Sequence, residues 1–514
     1  MKAIIDKTSW KSPKNLDGLV ISLIGLGLVL LYTRHGGIGI SPDSIAYLSV
    51  ARNIIAHGSA VDYTLQPLVD FPVFYPFFLT AAGWLSRIDP LVIAPWMNGL
   101  LLAAIIFLLG YLIDTFKGAN KIYKWIVLLV VACSPSLLDI YSMLWSETVF
   151  LLLIILFFTA FYRFLRLRTL MSLLMCGLIA SVACITRYAG VTLIGTGLLL
   201  LLSDRAIHWH LRLKNCAWFG LAAVSLLVIN LVRNALIMGS PTGPRVAGIL
   251  SLGDNIIYTG RVVCQWLLVP GQQDRLVSGI FIFIFMVISF IFLARSLFAA
   301  IHIRADHCFA AFFTVYTVFI IGISTLSHFE QLNNRLLSPL YIPMVISLTS
   351  WVPAAVKRLR PSYAHPLAGI LLLLAFFFGY RQYQLVTKMY DDVKDSGIPG
   401  YTEDSWRNSE TAGFLRRHPH YFNPDYTIYS NAHEAAYFNG NLRAESLPHK
   451  RDVDDTRDFF KEDAFYLIWF DNFSDNELIK FKTILQNAEV IKKYDFKDGD
   501  IFFIRPHRFS AQQR

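Results

Sequence analysis

Apolar runs recur along the first three quarters of this chain, separated by short polar or basic stretches, and then they stop. Read as helices, they fall at roughly 16–33, 91–113, 124–140, 146–164, 170–186, 189–203, 216–233, 277–296, 308–326, 336–354 and 367–380. Runs of this length approach or cross about 30 Å of hydrocarbon, so the pattern predicts eleven transmembrane helices. From about 381 the period changes. A helix is expected near 403–417, a strand at Thr427-Ile428-Tyr429, a strand from Phe465 to Phe470 and a helix at 475–487. A terminal hairpin follows, Ala488 to Tyr494 and Asp500 to Ile504, with Asp498-Gly499 as its turn. The expected fold is a polytopic α-helical membrane protein over 1–380 with a small α/β soluble domain over 381–514.

Between the first two runs lies a loop, 34–90, too long for a connector, whose composition predicts two short helices on the membrane surface. In Ser41-Pro42-Asp43-Ser44-Ile45-Ala46-Tyr47, Ser41 can cap a helix and Pro42 suits its first turn. Asp43 then sits in that first turn, where the helix dipole favours its ionised form. The helix is expected to run to His57, with Ile45, Leu48, Ala51 and Ile55 on one face and Ser49, Arg52 and Asn53 toward the other. The second feature is Asp70-Phe71-Pro72-Val73-Phe74-Tyr75-Pro76-Phe77-Phe78, an aromatic run punctuated by two prolines.

Composition agrees with a membrane protein: 55% of the 514 residues are hydrophobic and 16% charged. The first run ends in Tyr32-Thr33-Arg34-His35 with no small-residue cleavage site and reads as an uncleaved anchor. With the N-terminus inside, 18 of the 27 Lys and Arg residues before position 381 fall in cytoplasmic segments. The other nine, Arg34, Arg52, Arg87, Arg187, Arg233, Arg245, Arg261, Arg275 and Arg335, fall on the opposite side, and none is lysine. The net charge of +10 is therefore mostly this asymmetry, and it gives no support to nucleic-acid binding. An odd number of spans puts both the loop 34–90 and the tail outside. The six cysteines show no disulfide-like or metal-like spacing within one exported loop.

The exported side gathers most of the carboxylates of the membrane part as well as the arginines, so a site is expected there. Asp43 is the first candidate. Glu147 opens the fourth run in Ser146-Glu147-Thr148, where an ionised side chain must reach the interface or find a partner; an N-cap arrangement with Ser146 is the plain alternative. Arg187 and Arg335 lie at polar boundaries between apolar runs. Either can snorkel, or the guanidinium can hold a phosphate, whose geometry it matches. His328 and Glu330 flank Phe329 just before Arg335, but two ligand types do not make a metal site. There is no P-loop, dinucleotide fingerprint or Ser-His-Asp signature.

The order of these motifs carries a resemblance. A first span is followed by Pro42-Asp43-Ser44 with Tyr47, then Phe74-Tyr75-Pro76, Ser146-Glu147 and Thr186-Arg187-Tyr188-Ala189-Gly190. Arg233-Asn234 with Gly239-Ser240-Pro241 comes next, then Asn334-Arg335-Leu336 with Pro339. Over about residues 16 to 355 this resembles the GT-C glycosyltransferases, in the branch of protein mannosyltransferases, aminoarabinose transferases and bacterial lipopolysaccharide-core transferases. The tail motifs Tyr429-Ser430-Asn431, Tyr437-Phe438 and Leu447-Pro448 are similar to exported domains of that branch.

The resemblance implies inverting transfer of a sugar from a polyprenyl-phosphate donor to an acceptor on a glycolipid, polysaccharide or protein at the outer face of the membrane. It makes Asp43 the general base. Arg335, Arg187 and Arg233 become holders of the donor phosphate, and Glu147 a second acid that orients the acceptor or a partner of Asp43. Tyr47, Arg52, Tyr75, His328 and Glu330 are candidates for positioning the acceptor or the loop. A lipid phosphate leaves readily, whereas an acceptor hydroxyl benefits from a base, so one carboxylate suffices for the chemistry. Ser44 stands where protein mannosyltransferases often carry a second acid, which weighs against their kind of protein acceptor. Some members use a divalent metal, but the Trp-Trp-Asp signature of oligosaccharyltransferases is missing here, and no cofactor or metal is expected. Membrane lipids are the expected surroundings and a bacterial inner membrane the expected location. A lipid or solute transporter is the alternative; it would place ionisable residues near mid-membrane and often show two similar halves.

Overall fold

A computed structural model of the chain describes residues 15–243, 247–269, 273–298, 303–328 and 330–507; the Lys-bearing N-terminus, Arg245 and Phe329 lie outside them. The chain divides into two compact units. One comprises Met1–Tyr32, Leu68–Ile88 and Ile93–Asp391, the other Thr33–Pro67, Asp89–Val92 and Asp392–Arg514.

The first unit is helical, and the chain is an integral membrane protein. Among the described residues six helices are long and apolar enough to cross a bilayer: Pro90–Ile113, Glu147–Leu167, Trp209–Met238, Ala305–Leu326, the interrupted Asn334–Val356 and Pro361–Ser396. A seventh crossing is formed if Lys121–Ala132 and Pro135–Tyr141, bent by 49° at their junction, count as one span. Pro135 explains the bend, since it cannot continue the hydrogen-bond ladder, and Ser134 caps the second piece by accepting from Leu137 N at 3.3 Å. The other four expected segments coincide with shorter apolar helices, Leu16–Tyr32, Leu170–Thr186, Tyr188–Ser203 and Arg275–Ile291, whose length alone does not establish a crossing. Glu147–Leu167 carries an aromatic stripe into the core, where Phe158 packs on Phe309 with ring centroids 4.6 Å apart. The final helix does not end with its apolar run but continues to Ser396.

The second unit is built on a five-stranded mixed sheet. Its strands are β1 (Ile428–Ser430), β2 (Glu445–Ser446), β3 (Phe465–Phe470), β4 (Ala488–Phe496) and β5 (Gly499–Pro506), in the order β2-β1-β3-β5-β4. β1 runs parallel to both β2 and β3, while β3–β5 and β5–β4 are antiparallel. Phe465 pairs with Ile504 and Leu467 with Phe502, and these four side chains sit in the core with Phe459, Phe460 and Ile484. β4 is an edge whose lysines Lys492 and Lys493 guard it against further pairing.

Four local expectations are corrected. The helix near 403–417 is two pieces, Asp404–Arg407 and Glu410–Arg417, because Ser409 caps the second one, accepting from Ala412 N at 3.0 Å. The helix at 475–487 is reduced to Phe481–Gln486. Asp475 instead closes a turn by accepting from Glu477 N at 2.8 Å, and Ile479 N pairs with Pro448 O, so the backbone is already engaged elsewhere. The hairpin turns at Lys497-Asp498, with Phe496 opposite Gly499. Gly499 is needed for close approach, since a Cβ there would lie 2.2 Å from Trp469 O. Finally, the Pro42–His57 helix forms with Ser41 as its cap, but it is packed on several sides. Ile54 is buried and Ile55 is exposed, while Ser49, expected to face outward, is buried and accepts from Tyr63 N at 3.1 Å.

Candidate active site

Glu147 begins a helix and is fully buried, a position that requires compensating charge. Two arginines supply it. Arg187 Nη1 and Arg335 Nε each lie 2.7 Å from Glu147 Oε1. Arg187 Nη1 also donates to Ser146 Oγ at 3.0 Å. Ser146 is therefore a partner of the arginine; its side chain makes no cap bond, which corrects the N-cap alternative for this pair. Arg335 lies with its guanidinium carbon 4.6 Å from the centroid of the Trp145 ring, a cation–π contact.

Each arginine is delivered by an interruption in a helix. Leu170–Thr186 stops at Arg187, whose backbone turns extended, and a single 3-10 turn, Tyr188–Gly190, starts the next helix. Gly190 permits this doubling-back, because a Cβ there would sit 2.4 Å from Cys184 N. Arg335 belongs to the short helix Asn334–Leu337, capped by Asn333 accepting from Leu336 N at 3.1 Å, with Pro339 in the 3-10 turn that follows. Tyr316 OH fixes this break by donating to Leu336 O at 2.9 Å.

The result is two guanidiniums around one buried carboxylate, with the arginine side chains 18% and 14% exposed and that of Glu147 only 1%. Glu330 approaches Arg335 Nη1 at 3.8 Å but is half exposed, so water and salt screen it. Two guanidiniums therefore share one buried carboxylate oxygen, and planar guanidinium groups in such a pair match the geometry of a phosphate.

Other residues of this cluster are less visible in sequence. Asn334 Nδ2 donates to Asp139 Oδ2 at 2.9 Å and to Ser136 O at 3.1 Å, while Trp266 Nε1 donates to Asn334 Oδ1 at 2.8 Å. Together these bonds lock the residue preceding Arg335. Asp139, an acid within an apolar run, was the available signal.

The remaining candidates are held by other contacts. Arg233 is not in the cluster. It donates to Leu68 O at 3.0 Å and Asn234 Oδ1 at 2.9 Å, while Asn234 Nδ2 reaches Val69 O, Pro241 O and Tyr188 OH, so this group stitches the 68–70 segment to a helix. Tyr75 is fully buried and stacks on Phe78 within Phe74–Ser86. His328 is half-buried just past the end of Ala305–Leu326. Among the described residues no three His, Cys, Asp or Glu side chains gather as they would around a metal ion.

Asp43, Tyr47 and Arg52 belong to the second unit. Asp43 is half-buried in the first turn of its helix, behind the Ser41 cap whose N–H bonds Ser44 Oγ at 3.1 Å. Tyr47 is buried. Arg52 forms a two-point pair with Asp89, 2.9 and 3.1 Å, and Asn53 Nδ2 donates to Val61 O and Asp62 O, so the latter half of this helix ties down its own loop.

No protein-family model and no curated protein matches the sequence. Solved structures do resemble the fold. ArnT from Cupriavidus metallidurans in the apo state aligns over 94% of this chain and 97% of its own, with TM-score 0.56 and 13% identity. The same protein bound to undecaprenyl phosphate aligns over 97% and 99%, with TM-score 0.54 and 13% identity. The oligosaccharyltransferase of Archaeoglobus fulgidus, in complex with Zn and sulfate, aligns over 88% and 68%, with TM-score 0.53 and 12% identity.

Proposed function

We propose that this chain, which has the fold of the GT-C glycosyltransferases, transfers a sugar from a polyprenyl-phosphate donor to an acceptor at the outer face of the membrane, with inversion at the anomeric carbon. The observation that carries this reading is the pair Arg187 and Arg335 converging on buried Glu147. The second arginine gives the cluster a pair of guanidiniums, the arrangement that recognises a phosphate best. The similarly folded ArnT crystallised with undecaprenyl phosphate, and an oligosaccharyltransferase with dolichol-phosphate, support a lipid-phosphate donor.

In this mechanism Arg187 and Arg335 hold the donor phosphate and stabilise the charge that grows on it as the glycosidic bond breaks. Glu147 positions both guanidiniums. The leaving lipid phosphate needs no proton, so the remaining demand is removal of the acceptor proton, assigned to Asp43 on the strength of its place in the motif order and its helix-capped setting. Since guanidinium groups neutralise the phosphate, transfer proceeds without a divalent metal.

The test is reconstituted full-length protein with a polyprenyl-phosphate sugar and an envelope glycolipid fraction as acceptor, followed by mass analysis of the glycolipids. Sugar addition that survives EDTA and is lost in Arg335→Ala is the expected result. Transfer by Arg335→Ala with an unchanged donor titration removes the arginine pair from the mechanism, and loss of transfer in EDTA overturns the metal-free reading.

A further inference from the structure

The turn that carries Asp43 is fastened to the C-terminal tail through the backbone just before it. Ile40 is wholly buried, so its carbonyl needs a donor, and Tyr401 N supplies one at 2.8 Å. Gly400 lets the two stretches of chain come this close. Its φ is +111°, and a Cβ there would lie 2.3 Å from Ile40 O. Farther along the same tail segment, Arg407 Nη2 donates to Gly36 O.

Tyr401 is itself held by one short helix, His433–Gly440. Its hydroxyl donates to Glu434 Oε2 at 3.4 Å, and its carbonyl accepts from Asn439 Nδ2 at 3.1 Å. Its ring meets Trp406 edge-on, with centroids 5.2 Å apart. The same helix also grips the far side of the loop, because Tyr63 stacks on Tyr437 at 4.8 Å while Tyr63 N donates to Ser49 Oγ of the Asp43 helix at 3.1 Å. Little slack then separates Ile40 from Asp43. Ser41 N donates to Ser44 Oγ at 3.1 Å, Ile45 N donates to Ser41 O at 3.1 Å, and the Pro42 ring fixes its own φ. A shift of the Ile40 peptide is therefore passed on to Asp43.

Resting on the assignment of Asp43 as the base, we propose that Gly400, Tyr401 and Arg407 of the tail are positioning residues for sugar transfer, which fix the backbone entering the Asp43 turn. The tail is then part of the catalytic apparatus although it contributes no group to the chemistry. A base must stand within about 2.6–3.2 Å of the atom whose proton it takes, and a misplacement of about 1 Å costs roughly 10²-fold in rate.

The test follows variants of the full-length protein by single-turnover transfer from a polyprenyl-phosphate sugar, by donor titration, and by amide exchange read in a mass spectrometer. Gly400→Ala should slow transfer roughly 10²-fold with an unchanged donor titration, and should quicken exchange across 36–47 while β3 keeps its protection. Gly397→Ala is the control. It strains a neighbouring glycine at φ +81°, but its Cβ would press on Glu403 and Asp404 within the tail, so transfer should keep the parental rate. Added to Asp43→Asn, Gly400→Ala should cost little more, since both act through one carboxylate. A parental rate in folded Gly400→Ala overturns the proposal, as does equal slowing in Gly397→Ala or full additivity with Asp43→Asn. Arg407 is exposed, so Arg407→Ala should fold; it should slow transfer several-fold and Arg407→Lys, which can still donate, should restore it. Where Gly400→Ala does not fold, a parental rate in Arg407→Ala overturns the proposal in its place. Full activity in Asp43→Asn alone overturns the base assignment and the proposal with it, whereas a slow Asp43→Asn beside a parental Gly400→Ala overturns the proposal only.

Discussion

At the scale of single residues, Glu147 and Asp43 are both acids at the start of a helix, and the proposed mechanism gives them different work. Glu147 is buried and its Oε1 accepts from two guanidiniums. Asp43 is half-buried on a capped turn. Asp43→Asn preserves shape and removes basicity; it should lower the transfer rate by roughly 10²–10⁴-fold while donor binding is unchanged, as read from single-turnover rates beside a donor titration. Full activity would end its role as base. Glu147→Gln leaves two arginines facing a neutral amide. Removing one partner of a buried pair costs about 3–5 kcal/mol, so this variant should unfold at lower temperature as well as bind donor poorly. The sequence marked Glu147, Arg187 and Arg335 one by one, as polar residues at apolar boundaries. That they share one oxygen was not legible, because Arg335 and Glu147 are 188 residues apart and meet through helix packing that no local pattern encodes.

At the scale of elements, local chemistry was legible where nothing distant competed with it. Ser41-Pro42 fixed the start of its helix, and the short apolar, aromatic-rich run Phe465–Phe470 marked a strand. It failed where tertiary partners took over the backbone, as at 475–480, or shifted a turn, as at Lys497-Asp498. There Asp498 Oδ1 accepts from both the N–H and the hydroxyl of Thr411 at 3.1 Å, which holds the turn residue outside the ladder. The same contact set makes Gly499→Ala a sharp test. Its Cβ would press on a carbonyl that cannot flex like a side chain, so the sheet should lose about 1–3 kcal/mol, seen as a lower denaturant midpoint for the tail. The helix His433–Gly440, absent from the sequence expectation, brings a titrating group into this unit. Burial pushes the His433 imidazole below its usual range, against the pull of Glu434 whose Oε2 is 3.3 Å away. The unfolded chain then takes up a proton near pH 6.5 that the folded chain does not. Stability is full above that pH and falls as the solution is acidified through it. Limited proteolysis of the full-length protein should speed up between pH 7.5 and 5.5, and His433→Gln should flatten that dependence; an unchanged slope would assign it to another group.

For the whole molecule, composition and the placement of lysine carried the membrane assignment, but they could not settle how many helices cross. The reason is physical: helices such as Leu170–Thr186 and Tyr188–Ser203 are near the minimum length, and their fit to a bilayer depends on tilt and neighbours, which hydropathy does not contain. Orientation is a separate and directly measurable matter. Eighteen of the 27 basic residues before position 381 lie in the segments assigned to the cytoplasm, and this bias predicts an exported tail. Asp454 is a useful reporter, since its side chain is 82% exposed on the tail and the native cysteines are buried or half-buried. In intact cells made permeable only at the outer membrane, Asp454→Cys should react with a membrane-impermeant maleimide while the parent chain stays dark. Labelling that requires lysis of the inner membrane would invert the topology. It would also carry Asp43 to the cytoplasmic side, because Thr33–Pro67 and the tail belong to one compact unit.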